Sequence, residues 1–147
     1  MGLFWKRENV FWGRPKSQGA LQGILNKAKK NNPVDFWNQS GIYALYADYH
    51  LVYVGQAGQS GIGPRLKGHT KDHLAGRWDS FSWFGICYVK KNEKLSDIPG
   101  TRNISTSTIL NITEAITTAI AEPPLNKQAG RFGVTVEIYL QKKDDRL

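Results

Sequence analysis

A single cysteine, Cys87, occurs in the 147 residues, so no internal disulfide can form. In its apolar run it reads as a buried core thiol rather than a nucleophile. No apolar stretch approaches the roughly 20 residues that a membrane-spanning helix needs, and no membrane partner is expected. Residues 1–7 are not followed by the apolar run of a secretory signal, and Lys6 stands where the myristoylation pattern needs Ser or Thr. The default compartment is therefore the cytoplasm. His69 and His73 are four residues apart, but the metalloprotease glutamate is missing between them and Cys87 has no cysteine partner, which argues against zinc. No Gly-x-Ser-x-Gly is present, so a serine triad has no signature. The glycine-rich residues 58–64 lack the Lys-Ser/Thr ending of a phosphate-binding P-loop. Internal repeats and low-complexity segments are absent as well.

Acidic residues are also in short supply. Twenty Lys and Arg face twelve Asp and Glu, giving +8 and a pI near 9.7. Such a balance attracts polyanions through counterion release. The excess is concentrated: residues 1–40 hold seven basic and two acidic side chains. Hydrophobic content of 40% and a mean hydropathy of −0.45 describe a soluble globular chain. Its length suits one domain, able to bury roughly two-thirds of its unfolded surface without staples.

Residues 1–17 interleave Phe4, Trp5, Phe11 and Trp12 with Arg7, Arg14 and Lys16. Aromatics among cations suit stacking on bases and contacting phosphates; they equally suit an arm packed on the core. Residues 18–30 read as a helix, with Leu21, Ile24, Leu25 and Ala28 on one face and three lysines in the last turn. Residues 42–47 and 51–54 read as strands joined by a turn. Pro64 suits the first turn of a polar helix running to His73. Residues 81–90 give the strongest strand signal, 91–103 a loop, and 105–120 a helix with an apolar stripe stopped by Pro123 and Pro124. Residues 134–140 alternate as a last strand. The order implies a small α+β domain with a mainly antiparallel sheet flanked by helices.

Phosphodiester hydrolysis needs an activated water, a carboxylate-held metal and a cation on the phosphate. Arg65 and His69, four apart, share a helix face and offer a phosphate-binding fork and a group that takes a proton near neutral pH. The same pair also fits an ordinary polar helix face. Glu114, among Ala, Ile and Thr on a helix, is either an exposed helix residue or a carboxylate with a task. Tyr43 and Tyr53 stand on the two strands of the expected hairpin, close enough to share a site. Lys67 and Lys71 add to the basic residues suited to nucleic acid.

Together these residues resemble the GIY-YIG nuclease family. Gly41-Ile42-Tyr43 matches its first motif, and Tyr53-Val54-Gly55 is its second with Val for Ile. Arg65 falls at the family's helix arginine, Glu114 at its metal-binding glutamate, and Asn126, twelve residues later, at its asparagine. His69, four after Arg65, is similar to the arrangement in GIY-YIG restriction endonucleases. The resemblance spans roughly residues 40–130 and places 1–40 and 131–147 outside the nuclease core as additions for target recognition or dimerisation. It implies that Tyr43, alone or with His69, activates water, that Tyr53 positions it, and that Arg65 stabilises the phosphate. Asn126 would contact the phosphate or fix the loop, and Gly41 and Gly55 would be structural, Gly55 letting the chain turn beneath the substrate. Glu114 would hold one Mg²⁺, with Mn²⁺ as substitute. The implied partner is DNA, and a homodimer is compatible with it. RNA or branched DNA as substrate, as for a toxin or effector, and a non-catalytic nucleic-acid-binding domain are the alternatives.

Overall fold

The structure, a computed structural model, describes residues 1–26, 32–100, 105–121 and 136–147. It has the expected α+β composition, and every strand pair among the described residues is antiparallel. One sheet of four strands runs β1-β6-β4-β5, where β1 is Gly2–Lys6, β4 Gly41–Ala47, β5 His50–Ala57 and β6 Ser80–Gly85. The second sheet places β2 (Gln22–Leu25) between β3 (Val34–Asp35) and β7 (Tyr139–Gln141). Among the described residues two α-helices, α1 (Ile62–His69) and α2 (Thr106–Ala121), accompany them. Among the described residues no helix is long and apolar enough to cross a membrane.

The β4–β5 hairpin forms as its sequence suggests. Asp48 and Tyr49 have φ of 48° and 65°, the left-handed pair of a turn whose twist matches that of the flanking strands. Leu45 pairs with Tyr53 and Tyr46 with Leu51, so Val52 is an extra residue in β5. β4 is the strand the site depends on. It is paired on both sides, and Tyr43, Ala44, Leu45 and Tyr46 are all buried. Their side chains alternate between faces, with Tyr43 and Leu45 on one and Ala44 and Tyr46 on the other.

Helix α1 begins at Ile62, two residues before Pro64, after Gly61 with φ 82°, and ends at His69 rather than His73. Pro64 still lies in the first turn, where its missing N–H costs nothing. Ile62 and Leu66 are buried, and a side chain at Gly63 would collide with the Trp37 indole. That close approach seats α1 against the core and presents Arg65 and His69 toward β5 and β4.

Residues 18–30 do not form the expected helix. Residues 22–25 are strand β2, and 27–31 lie outside the described residues. Leu21 is fully buried, and Gly23, Ile24 and Leu25 pair with Gln141, Leu140 and Tyr139. A Cβ at Gly23 would run into the Trp5 and Phe36 rings, so the glycine lets these aromatics close over the strand. Tertiary pairing overrides the helical spacing.

The N-terminal aromatics belong to the core. Trp5 is 2% exposed and meets Phe36, Phe81 and Trp83 edge-on at centroid distances of 6.1, 6.1 and 5.4 Å. The C-terminal segment closes on it. Trp5 Nε1 donates to the Tyr139 carbonyl at 3.1 Å, and the Lys6 amide donates to Gln141 Oε1 at 2.6 Å. Arg146 clamps the buried Asp144 through two nitrogens, and its guanidinium lies 3.9 Å from the Phe11 ring centroid. Residues 1–26 and 136–147 are thus interleaved with the four-stranded sheet.

Two further expectations are trimmed. The strand expected over 81–90 ends at Gly85, with an isolated bridge between Val89 and Leu95 beyond it. The last strand is limited to β7, and residues 134 and 135 lie outside the described residues. Helix α2 forms where its stripe indicated, and Pro123 and Pro124 lie outside the description. Cys87 is a buried free thiol.

Candidate active site

Tyr43 stands at the centre of a cluster built from β4, β5 and α1. It is fully buried, and its hydroxyl lies 2.8 Å from His69 Nε2. The other ring nitrogen of His69, Nδ1, is 2.7 Å from Asp72 Oδ2. Tyr53 completes the group, with ring centroids 6.2 Å from Tyr43 and 5.0 Å from His69. His69 is fixed from behind as well, since Trp78 Nε1 donates to its carbonyl at 3.2 Å.

The direction of the hydrogen bonds follows from Asp72. The Leu74 N–H holds its carboxyl below the usual carboxylate range, and the His69 side chain adds to this. Asp72 is therefore ionised at neutral pH and can only accept. Nδ1 of His69 must carry a hydrogen, so the neutral imidazole has a bare Nε2, and the Tyr43 O–H donates to it. The Tyr43 pKa is pushed up to about 12, chiefly by burial and next by the charge of neighbouring Tyr53, with Arg65 pulling the other way. No standing tyrosinate exists at neutral pH. The arrangement can instead pass the Tyr43 proton to His69 while the Tyr43 oxygen takes one from another group.

Gly55 has a different task from the one its motif suggests. It lies inside β5, opposite Tyr43, and not at a turn. A Cβ there would strike the Tyr43 hydroxyl and the Tyr53 ring. Gly55 is the opening into which the phenol tip fits. Gly41, with φ 153°, has the Phe84 carbonyl where a Cβ would stand.

Arg65 is exposed on α1, with Nε donating to the Gln56 carbonyl at 3.4 Å. Tyr43, Tyr53, Arg65 and His69 are thus brought together. Glu114 is not joined to them. It is exposed on α2 and makes no hydrogen bond or ion pair among the described residues. The Tyr46 hydroxyl donates to the Ile120 carbonyl at 3.2 Å, which sets the end of α2 against the face of β4 opposite Tyr43. Asn126 lies outside the described residues.

Arg14, Lys16 and Lys71 are exposed and Lys67 is half-buried. Arg7 is committed to packing, its guanidinium 4.8 Å from the Trp78 ring and donating to the Trp78 carbonyl at 3.3 Å. Among the described residues no three His, Cys, Asp or Glu side chains converge as a metal site. One carboxylate with water completing the shell is a donor set that Mg²⁺ accepts, and Glu114 is the carboxylate the family pattern designates, but in this structure it does not join the Tyr43–His69 cluster.

Asp72 was missed in the sequence. Its signal was its spacing, three residues after His69, which puts both side chains within reach across one turn.

No family model, curated protein or solved structure matches this chain.

Proposed function

We propose that this chain is a GIY-YIG-type, Mg²⁺-dependent endonuclease that hydrolyses phosphodiester bonds in DNA. The observation that carries the reading is the 2.8 Å bond between Tyr43 and His69, because it joins two positions from separate motifs into one proton-transfer pair. The +8 charge adds affinity for a polyanion.

In this mechanism a water attacks phosphorus and gives its proton to the Tyr43 oxygen while the Tyr43 proton moves to His69 Nε2. Asp72 balances the imidazolium that results. Tyr53 positions the water, and Arg65 binds the phosphate and its developing charge. The departing oxygen takes a proton from solvent, and His69 returns one to solvent. Glu114 would hold the metal, which when bound supplies Lewis-acid neutralisation of the phosphate charge.

The test is incubation of the purified protein with plasmid, single-stranded DNA and RNA, with and without Mg²⁺. Cleavage of DNA that requires Mg²⁺, or Mn²⁺ in its place, is expected. Glu114→Ala should abolish it while DNA binding persists, and Arg65→Ala should slow it about 10²-fold or more. Wild-type cleavage by Glu114→Ala would remove the metal assignment. Cleavage of RNA alone would move the substrate, and no cleavage of any arm would leave a binding domain.

A further inference from the structure

Arg65 also lines a pocket of about 450 Å³. Its walls include three isoleucines from three segments: Ile42 on β4, Ile86 just after β6, and Ile98 in the chain leading toward α2. They are 37%, 55% and 42% exposed. Single exposed apolar side chains need no explanation, but three around one pocket mark a place where a ligand covers them. Gln56 and Ser60 supply polar groups at the same pocket. Gly58, another wall, has open space where a Cβ would stand. Apolar walls, a few polar groups and one charge are the usual composition of a small-ligand site.

The charge is what selects the ligand. Arg65 gives Nε to the Gln56 carbonyl, and its terminal nitrogens have no hydrogen bond among the described residues. A guanidinium with an open fork suits a phosphate. Arg65 lines the pocket and stands one helical turn from His69 on α1, so a phosphate on Arg65 adjoins both the pocket and the His69–Tyr43 pair. What projects from such a phosphate into an apolar cleft with polar groups beside it is a nucleoside.

We propose that this pocket receives an unstacked nucleobase from the nucleotide adjoining the cleaved bond, with the shared phosphate held by Arg65. The inference rests on the nuclease reading and adds a substrate preference to it. The isoleucine walls cover the flat faces of the base, and Gln56 and Ser60 meet its edge. A base inside the pocket cannot remain stacked in a duplex. The enzyme should therefore favour single-stranded or locally opened DNA over intact duplex.

The test uses the full chain with isoleucine methyl groups isotopically labelled, in the absence of divalent metal so that nothing is cut. Dithymidine monophosphate, thymidine monophosphate and inorganic phosphate are titrated separately, and methyl resonances are followed by NMR. The two nucleotides should shift Ile42, Ile86 and Ile98 together, and inorganic phosphate should leave them in place. Ile86→Ser combined with Ile98→Ser, both at exposed positions, should weaken nucleotide binding about tenfold by removing apolar contact. Arg65→Ala should weaken it about tenfold or more by removing the phosphate contact. Equal shifts with inorganic phosphate, or none with either nucleotide, would overturn the pocket. Binding is read without turnover, so the two ideas fail separately. A protein that binds the dinucleotide but cuts nothing loses the nuclease reading and keeps the pocket. One that cuts DNA with these three methyls silent does the reverse.

Discussion

Tyr43 and Glu114 occupy opposite extremes of one proposed site. Tyr43 is buried, hydrogen-bonded to His69 at the part-buried end of its ring, and fitted over a glycine that leaves room for its tip. Glu114 is exposed on a helix and without an ion-pair partner among the described residues. The tyrosine half is fixed by the same packing that holds the sheet together. The carboxylate half is chemically free but unattached. In such a site the proton-transfer geometry is a by-product of the core, whereas metal binding can be lost or regained at little structural cost.

That contrast can be broken most directly by paired substitutions. His69→Ala and Glu114→Ala should both remove cleavage, the first by about 10³-fold if His69 is the proton acceptor. Only His69→Ala should also destabilise the fold, by about 1–3 kcal/mol, because it leaves the buried Tyr43 hydroxyl without its partner. Glu114→Ala should stay within about 0.5 kcal/mol of wild type, as exposed positions do. Urea denaturation beside a cleavage assay separates the two, and equal stability losses would erase the distinction.

Gly55→Ala tests the opening for the phenol. The added methyl displaces Tyr43, and overpacking of this kind costs about 1–3 kcal/mol. Thermal unfolding should show that loss together with reduced cleavage. A fully active, fully stable alanine variant would mean that Gly55 gives Tyr43 no necessary room.

The alkaline side gives a smaller effect. The folded Tyr43 holds its proton to about pH 12, whereas an unfolded tyrosine loses it near pH 10. Folding stability from this group is complete below about pH 10 and drains away as pH rises toward 12, by roughly 2–3 kcal/mol at most. Tyr43→Phe should therefore lose less stability than wild type between pH 9 and 11, measured by urea midpoints in roughly that window. Identical slopes would show that Tyr43 is not sealed. Asp72→Asn should slow cleavage about tenfold, a milder effect than losing His69, since it disturbs the orientation and charge balance of the imidazole rather than removing it. Unchanged cleavage would leave Asp72 with a turn-forming role only.

Much of this was legible in the sequence where local and tertiary signals agree. The β4–β5 hairpin, α1 with Arg65 and His69 one turn apart, and α2 all follow from spacing and turn chemistry. The failures occur where tertiary partners override or decide a local signal. Leu21, Ile24 and Leu25 satisfy a helix face, but Gly23 was the contrary sign, since a helix interior penalises glycine while aromatics packed onto a strand require it. Trp5 and Phe11 were ambiguous because an aromatic arm and an aromatic strand share a composition, and their burial depends on partners more than 60 residues away, such as Phe81. Tyr43, Tyr53, Arg65 and His69 were legible as residues that come together, but the separation of Glu114 from them and the direction of the Tyr43–His69 hydrogen bond were not. That direction depends on Asp72, whose ionisation is set by the Leu74 N–H, a backbone contact that no side-chain motif encodes.

The Lys6–Gln141 bond spans 135 residues. Strand β1 therefore waits for some 135 further residues before Gln141 can cap its backbone at Lys6. Contacts so distant in sequence are paid for late in loop entropy and slow a domain's folding. During that wait the Trp5 indole, destined for the centre of the core, lacks the carbonyl at Tyr139 that completes its burial. Nascent chains stalled before that residue should be the ones that chaperones hold longest.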